Sequence, residues 1–291
     1  DSTCDISKED ARKMGIQTVP RSVRFGDEEF LDGVEITHEE FYTRLAECDE
    51  LPKTSQPSPD TFMKVFNEAV AAGDDVLGIF ISSDLSGTYQ SACLAALDVE
   101  EETRKKLYMV DSRSASIGTA LLIREAVKLR DAGVNVSDIA AACTEMSKYI
   151  KLTAVVGSLK YLKMGGRLSG AAAFAGTMLH ITPVVSIEDG KVVVIGKTRG
   201  KKAAEKLMHD KLIKDGLSLT RDFMFGHINC SESLETFINK SLTYISDVNG
   251  NVGVSSIGCS VGTHVGPGTY GIAYVEAAES GMNRESIVKT A

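Results

Sequence analysis

Residues 76–92 read Val76-Leu77-Gly78-Ile79-Phe80-Ile81, then Ser82-Ser83-Asp84-Leu85-Ser86-Gly87-Thr88, then Tyr89-Gln90-Ser91-Ala92. The first six are almost wholly apolar, as expected of a parallel strand buried on both faces. The next seven are dense in hydroxyls, and a helix is predicted from about Tyr89 to Leu97. A strand that gives way to a polar loop and then a helix is the unit of an α/β fold. Upstream, Ser58-Pro59-Asp60 is a strong helix start, followed by Phe62, Val65, Phe66, Ala69 and Val70 at helical spacing. Downstream, Leu107–Val110 is the next strand, with helices over about 117–132 and around Ile139, Cys143 and Met146, and a strand over 152–157. This alternation implies a three-layer α/β domain with a mostly parallel sheet.

The N-terminal segment adds two capping boxes, Ser7 with Asp10 and Thr37 with Glu40. Between them a hairpin over 19–31 turns at Gly26-Asp27. The second half has a different grammar. Residues 181–187 and 191–197 are β-rich runs joined by Asp189-Gly190, the strongest short hairpin signal in the chain. A helix over 201–214 carries Ala204, Leu207, Met208 and Leu212 on one face. Strand 223–228, helix 232–246 and strands near 252–257 and 270–276 complete an α+β domain with hairpins. The boundary is placed near Gly157–Gly170, giving domains over 1–160 and 161–291. There is no internal repeat.

Composition narrows the function class. The 291 residues are about twice a typical domain, with 43% apolar and 25% charged residues, ordinary for a soluble globular protein. A net charge of -8 argues against a surface built for nucleic acid or anionic lipid. No run is long enough for a stable transmembrane insertion, and no signal peptide is read. Six cysteines without a CxxC pair suggest neither zinc nor a disulfide framework, and read as buried free thiols in a reducing, cytoplasmic setting. The chain opens at Asp1 without a methionine, so further N-terminal residues are expected.

Two literal motifs lack their context. Gly266, Gly268 and Gly271 spell the dinucleotide fingerprint, but Pro267 interrupts it and a strand follows where a helix is needed. Gly258-Cys259-Ser260-Val261-Gly262 spells a nucleophile elbow, but the glycine- and proline-rich residues 262–268 are not expected to form the required helix. A serine-dependent hydrolase or a phosphoryl-transfer enzyme for a small anionic substrate, using Ser86 or Ser260 with His264 as base, is therefore the alternative reading.

What survives is a set of hydroxyl-rich loops where strands give way to helices: Asp1-Ser2-Thr3, Ser82–Thr88 and Asp111-Ser112-Arg113-Ser114. In open parallel sheets such loops gather at the ligand-binding edge. Gly87 permits close backbone approach, and the helix start beyond it offers N–H donors to phosphate, sulfate or carboxylate alike. Thr54-Ser55-Gln56-Pro57 is a second rigid hydroxyl loop. His264 lies in a segment read as too glycine-rich for core. Arg167, in Gly165-Gly166-Arg167, and Arg199, in Lys197–Lys202, supply cations.

Together these segments resemble the DegV family of bacterial fatty-acid-binding proteins. The resemblance rests on DSTCD at 1–5, FGDEEFLDGVEIT at 25–37, TSQPSP at 54–59 and ISSDLSGTYQSA at 81–92. It continues through VDSRSAS at 110–116, LKMGGRLS at 162–169, TRGKKA at 198–203 and GTHVGPGTYG at 262–271. It implies a two-domain carrier, not catalytic alone and without a cofactor, holding one long-chain fatty acid such as palmitate in a channel between domains. Thr54, Ser86 and His264 would grip the carboxylate, supported by Ser55, Gly87 and Thr88. Arg167 and Arg199 would face phosphate or partner. The implied partner is a fatty acid kinase resembling dihydroxyacetone kinases, which makes the acyl phosphate. One departure is Thr182, within MLHITP at 178–183, where the resemblance asks for lysine. Hydroxyls and an imidazole are expected to hold the carboxylate without a buried permanent cation.

Overall fold

The computed structural model describes residues 1–48, 50–169, 181–216, 218, 221–244 and 250–277. A single helical turn at Ser2–Cys4 leads to α1 (Lys8–Lys13), β1 (Ser22–Phe25), β2 (Glu28–Leu31), α2 (His38–Glu47) and β3 (Lys53–Ser55). Next come α3 (Pro59–Ala71), β4 (Val76–Phe80), α4 (Thr88–Asp98), α5 (Glu101–Arg104), β5 (Leu107–Asp111), α6 (Ile117–Asp131), α7 (Val136–Met146) and β6 (Ile150–Val155). The remainder is α8 (Lys160–Met164), β7 (Thr182–Glu188), β8 (Lys191–Thr198), α9 (Lys201–Asp215), β9 (Phe223–His227), α10 (Ser231–Tyr244), β10 (Val252–Ser256), α11 (Cys259–Val265) and β11 (Tyr270–Val275).

Local chemistry fixes many of these boundaries. Thr37 Oγ1 accepts from the Glu40 N–H while Glu40 accepts from the Thr37 N–H, a reciprocal cap that satisfies two otherwise orphaned donors of α2. Ser58 Oγ caps α3 by accepting from the Thr61 N–H, with Pro59 preset for the first turn. Asp189 and Gly190 both take positive φ, 49° and 81°, the geometry that lets a two-residue turn follow the twist of β7 and β8.

The strands form three sheets among the described residues. β2-β1-β3 is antiparallel, β4-β5 is a parallel pair, and the order β10-β9-β11-β6-β7-β8 makes a six-stranded mixed sheet. The parallel sheet expected in the first half thus has two described strands, and Val76–Gly78 of β4 are only half-buried. β6, expected as its last strand, instead pairs antiparallel with β11 and β7, strands that lie beyond the expected boundary at 160. Periodicity reveals a strand but not its partner, and β6 is apolar enough to be covered on both faces wherever it pairs. The Gly170 end of the expected linker, residues 178–180 of MLHITP and residues 245–246 of the expected helix 232–246 lie outside the described residues. Thr182 opens β7, where its carbonyl accepts from the Thr198 hydroxyl at 2.9 Å.

The largest buried apolar cluster joins β4, β5, α6, α7, β6, β7 and α8 through residues such as Ile79, Val110, Leu121, Ile139, Leu152 and Leu162. One face of the six-stranded sheet therefore packs against the N-terminal elements. Its other face carries α9 and α10, packed through Met208, Leu212 and Phe237 onto Phe223, Phe225 and Tyr270. Between the sheet and the N-terminal loops a cavity remains.

Candidate functional site

The loop after β4 folds into one turn, with the Leu85 and Ser86 N–H groups donating to the Ser82 carbonyl at 3.0 and 3.1 Å. This turn buries Ser86, whose Oγ lies 3.0 Å from Thr88 Oγ1 at the start of α4. Arg21, immediately before β1, reaches both hydroxyls. Its Nη1 donates to Ser86 Oγ at 2.7 Å and to Thr88 Oγ1 at 2.9 Å. Arg21 is 4% exposed, and burial lowers its pKa to about 10, opposed by Asp32 nearby. The guanidinium therefore stays charged at neutral pH, and its Nε has no partner among the described residues.

A second arm comes from β3 and α11. Register with Val23 sets Thr54 on β3, and its Oγ1 lies 3.1 Å from His264 Nε2. The TSQPSP loop is tied to α4 by the Ser91 hydroxyl, which donates to the Pro57 carbonyl at 2.7 Å. α11 starts on two carboxylates. Asp5 accepts from the Gly258 N–H at 2.9 Å, and Asp32 accepts from the Cys259 and Ser260 N–H groups at 3.1 Å each. These oxygens satisfy N–H groups at the helix start that have no partner within the helix. Ser260 and His264 lie one turn apart, so both face the cavity. Burial first, then Arg167 and Arg21, pushes the His264 ring down to about 3, which keeps it neutral.

The cavity takes in about 850 Å³ of space, part of it open to solvent. Ile117, Leu152, Ala154, Leu162, Val185 and Ile187 make an apolar wall, while Arg21, Ser86, His264 and Arg167 gather toward one another by the contacts above. Such a space, apolar with a few convergent polar groups, suits a small amphipathic anion. Arg167 also props the Ser86 turn, its Nε donating to the Leu85 carbonyl at 3.2 Å and its Nη1 to the Gly165 carbonyl at 2.6 Å.

A family model described as "Uncharacterised protein, DegV family" matches residues 1–277. A DegV domain-containing protein of Clostridium perfringens is 35% identical over 285 residues, 95% of this chain and 96% of the relative. The chain belongs to the DegV family. Two solved DegV family structures share its fold. One, described as fatty acid binding of a DegV family protein from Thermus thermophilus, has TM-score 0.84 at 30% identity, covering 95% of this chain and 97% of that one. The other, DegV, a fatty acid binding protein from Bacillus subtilis, has TM-score 0.81 at 28% identity, covering 95% and 97%.

Within this DegV chain, Thr54 pairs with His264 and Ser86 with Thr88, and of these Ser86 and His264 line the cavity. Ser55 does not: it is exposed and serves in pairing with Ser22. Gly87 is close-packed, but what a Cβ there would strike is the Gln56 side chain. Arg167 lines the cavity, whereas Arg199 is exposed at the end of β8 and lies outside it. The expectation of a site without a buried permanent cation is corrected by Arg21. The only sequence signal was a charged residue just before an alternating strand, which is also what a surface strand shows.

A second correction concerns α11. Residues 259–265 are helical, and Gly262 and Thr263 are buried, where a glycine-rich loop was expected. The strand β10 and this helix do flank Ser260 as an elbow requires. The hydrolase alternative nevertheless gains nothing from it. Ser86 Oγ is engaged by Arg21 and Thr88, and His264 Nε2 by Thr54. Ser260 Oγ and His264 Nδ1 have no partner among the described residues, so no acid stands behind the imidazole.

Asp5 gives this site a pH signature. Burial raises its carboxyl to about 8, against hydrogen bonds from the Ser116 hydroxyl and the Gly258 N–H. The folded chain keeps a proton that the unfolded chain releases above about 4. That stabilisation is complete below about 4 and is lost as pH climbs to about 8, at about 1.4 kcal/mol per unit. Asp5→Asn keeps the shape and hydrogen-bonding atoms without the titration. Its stability relative to the parent chain should therefore rise by on the order of 2 kcal/mol between pH 6.5 and 8.0. Urea unfolding at the two pH values reads this difference, and a pH-independent difference would refute the assignment.

Proposed function

We propose that this chain carries one long-chain fatty acid, palmitate among them, and presents its carboxylate to a fatty acid kinase resembling dihydroxyacetone kinases. The observation that supports the lipid reading is the division of the cavity into an apolar wall and one charged, hydroxyl-bearing end. A carboxylate removed from water needs pairing and hydrogen bonds. Arg21 supplies the charge, with Ser86, Thr88 and the Thr54–His264 pair as surrounding polar groups. The tail gains about 0.8 kcal/mol per buried CH₂, so the apolar wall supplies most of the affinity. In this reading the cavity is the channel between residues 1–160 and the strands that follow.

The carrier itself orients the acid and exposes one oxygen to the kinase. Arg199, exposed beyond the cavity, is the residue we assign to phosphate or kinase contact, with Arg167 at the cavity wall. Six free cysteines suit a reducing cytoplasmic setting. No helix among the described residues is long and apolar enough to cross a membrane.

Protein purified from bacteria, denatured and examined by mass spectrometry, is expected to release about one fatty acid per chain. Recovering none, with no uptake of added palmitate, would sink the lipid reading. Adding the kinase and ATP to the loaded chain should then yield acyl phosphate, trapped as its hydroxamate. Unchanged acid in that arm overturns presentation alone.

A further inference from the structure

The Ser86 turn is held from outside its own loop, by the tip of the β7–β8 hairpin. Ser82, 1% exposed, is the hub of this arrangement. Its carbonyl accepts the Leu85 and Ser86 N–H groups that form the turn, and its own N–H donates to the Ser114 carbonyl at 2.8 Å. Its Oγ accepts from the Asp84 N–H at 3.3 Å within the loop and donates outside it, to the Gly190 carbonyl at 2.8 Å. The fit is close on the hairpin side as well. A Cβ at Gly190, where φ is 81°, would stand 2.6 Å from Ser82 Oγ and 3.1 Å from Asp84 Oδ2.

Two ion pairs border the same contact. Lys191 Nζ lies 3.5 Å from Asp84, and Arg113 Nη2 lies 3.0 Å from Asp189. Both are solvent-exposed and weak, so the buried Ser82–Gly190 bond is the specific element. On either side of it, Leu85 and Ser86 face the cavity from the loop, and Ile187 and Val192 from the hairpin.

We propose that Ser82 and Gly190 are positioning residues: the β7–β8 hairpin tip sets the Ser86 turn in the conformation that grips the ligand headgroup. The inference rests on the fatty-acid reading above. It assigns to the Asp189-Gly190 turn a role in headgroup recognition, although neither Ser82 nor Gly190 touches the ligand. The role is distinct from simple support of the fold. A strut would change stability alone, whereas a positioning contact changes the preference for a carboxylate over an uncharged headgroup on the same tail.

The test measures displacement of a bound fluorescent fatty acid by palmitate and by hexadecanol. The readout is the ratio of the two affinities, followed alongside Tm. Ser82→Ala removes the hydroxyl, and Gly190→Ala reaches the same contact from the hairpin. Each should lower the palmitate preference at least fivefold while leaving hexadecanol affinity within about twofold. Combining Ser82→Ala with Ser86→Ala should lower the preference little beyond Ser86→Ala alone, since both act through one hydroxyl. If the parent prefers palmitate and both variants keep that preference, with or without a fall in Tm, the hairpin assignment is overturned alone. A parent chain that takes up neither ligand overturns the fatty-acid reading and this inference with it.

Discussion

Arg21→Met should abolish most palmitate binding while leaving the chain folded. Truncating one partner of a buried charge pair costs about 2–5 kcal/mol, which corresponds to a loss of roughly 30-fold to several thousand-fold. The loss is expected toward the middle of that range, because Arg167 remains at the cavity wall as a cation beside the Ser86 hydroxyl and a neutral His264. Methionine occupies the stem of the arginine without its charge. Ser86 and Thr88 keep each other at 3.0 Å, and Asp32 keeps its two N–H donors at the start of α11. Circular dichroism should therefore be unchanged. Arg21→Lys, which keeps charge but not the guanidinium geometry, should recover part of the affinity. Parent-like palmitate affinity in the methionine variant would move the carboxylate away from this end of the cavity.

Gly262→Ala is expected to cause the largest loss of stability. Gly262 is buried in α11, and a Cβ there would overlap the hydroxyl of Tyr42, itself 4% exposed. That hydroxyl donates to the Ile257 carbonyl at 2.9 Å, and its ring packs edge-on against Phe41 at 5.0 Å. Overpacking costs about 1–3 kcal/mol. Breaking the buried hydrogen bond adds a similar amount. A combined loss of about 3 kcal/mol lowers Tm by roughly 5 °C for a chain of 291 residues. Removing the nearest obstructing atom should restore part of it, the ring carbon Cζ remaining 2.8 Å from the added Cβ. Tyr42→Phe combined with Gly262→Ala should melt higher than Gly262→Ala alone, although Tyr42→Phe by itself destabilises. A double variant no more stable than the single one would show that the hydroxyl is not what the methyl meets. Because His264 lies two residues on, ligand affinity should follow the same pattern.

Legibility in the sequence followed the range of the interactions. The caps at Ser7, Thr37 and Ser58 and the turn at Asp189-Gly190 are decided within four residues, and each appears where the pattern placed it. The site was legible as far as hydroxyl loops and resemblance carried it, to Thr54, Ser86, Thr88 and His264. Arg21 was hidden because its partners lie 65 and 67 residues away, and nothing beside it in the chain marks it as buried. α11 was misread for a related reason. Its composition disfavours a helix, but Asp32 and Asp5 supply the cap from 227 and 253 residues earlier in the chain. The pairing of β6 is non-local in the same sense, since β11 joins it more than a hundred residues later.

That central strand has a consequence for how the two halves of the chain can move. β6 is covalently part of the first half of the chain, yet its backbone is hydrogen-bonded on both edges to strands of the second half. Drawing apart two parts divided at residue 160 would break both ladders, so β6 moves with the six-stranded sheet. For the same reason, separately expressed pieces divided at residue 160 would each carry an incomplete sheet: one a strand lacking neighbours, the other a gap between β11 and β7.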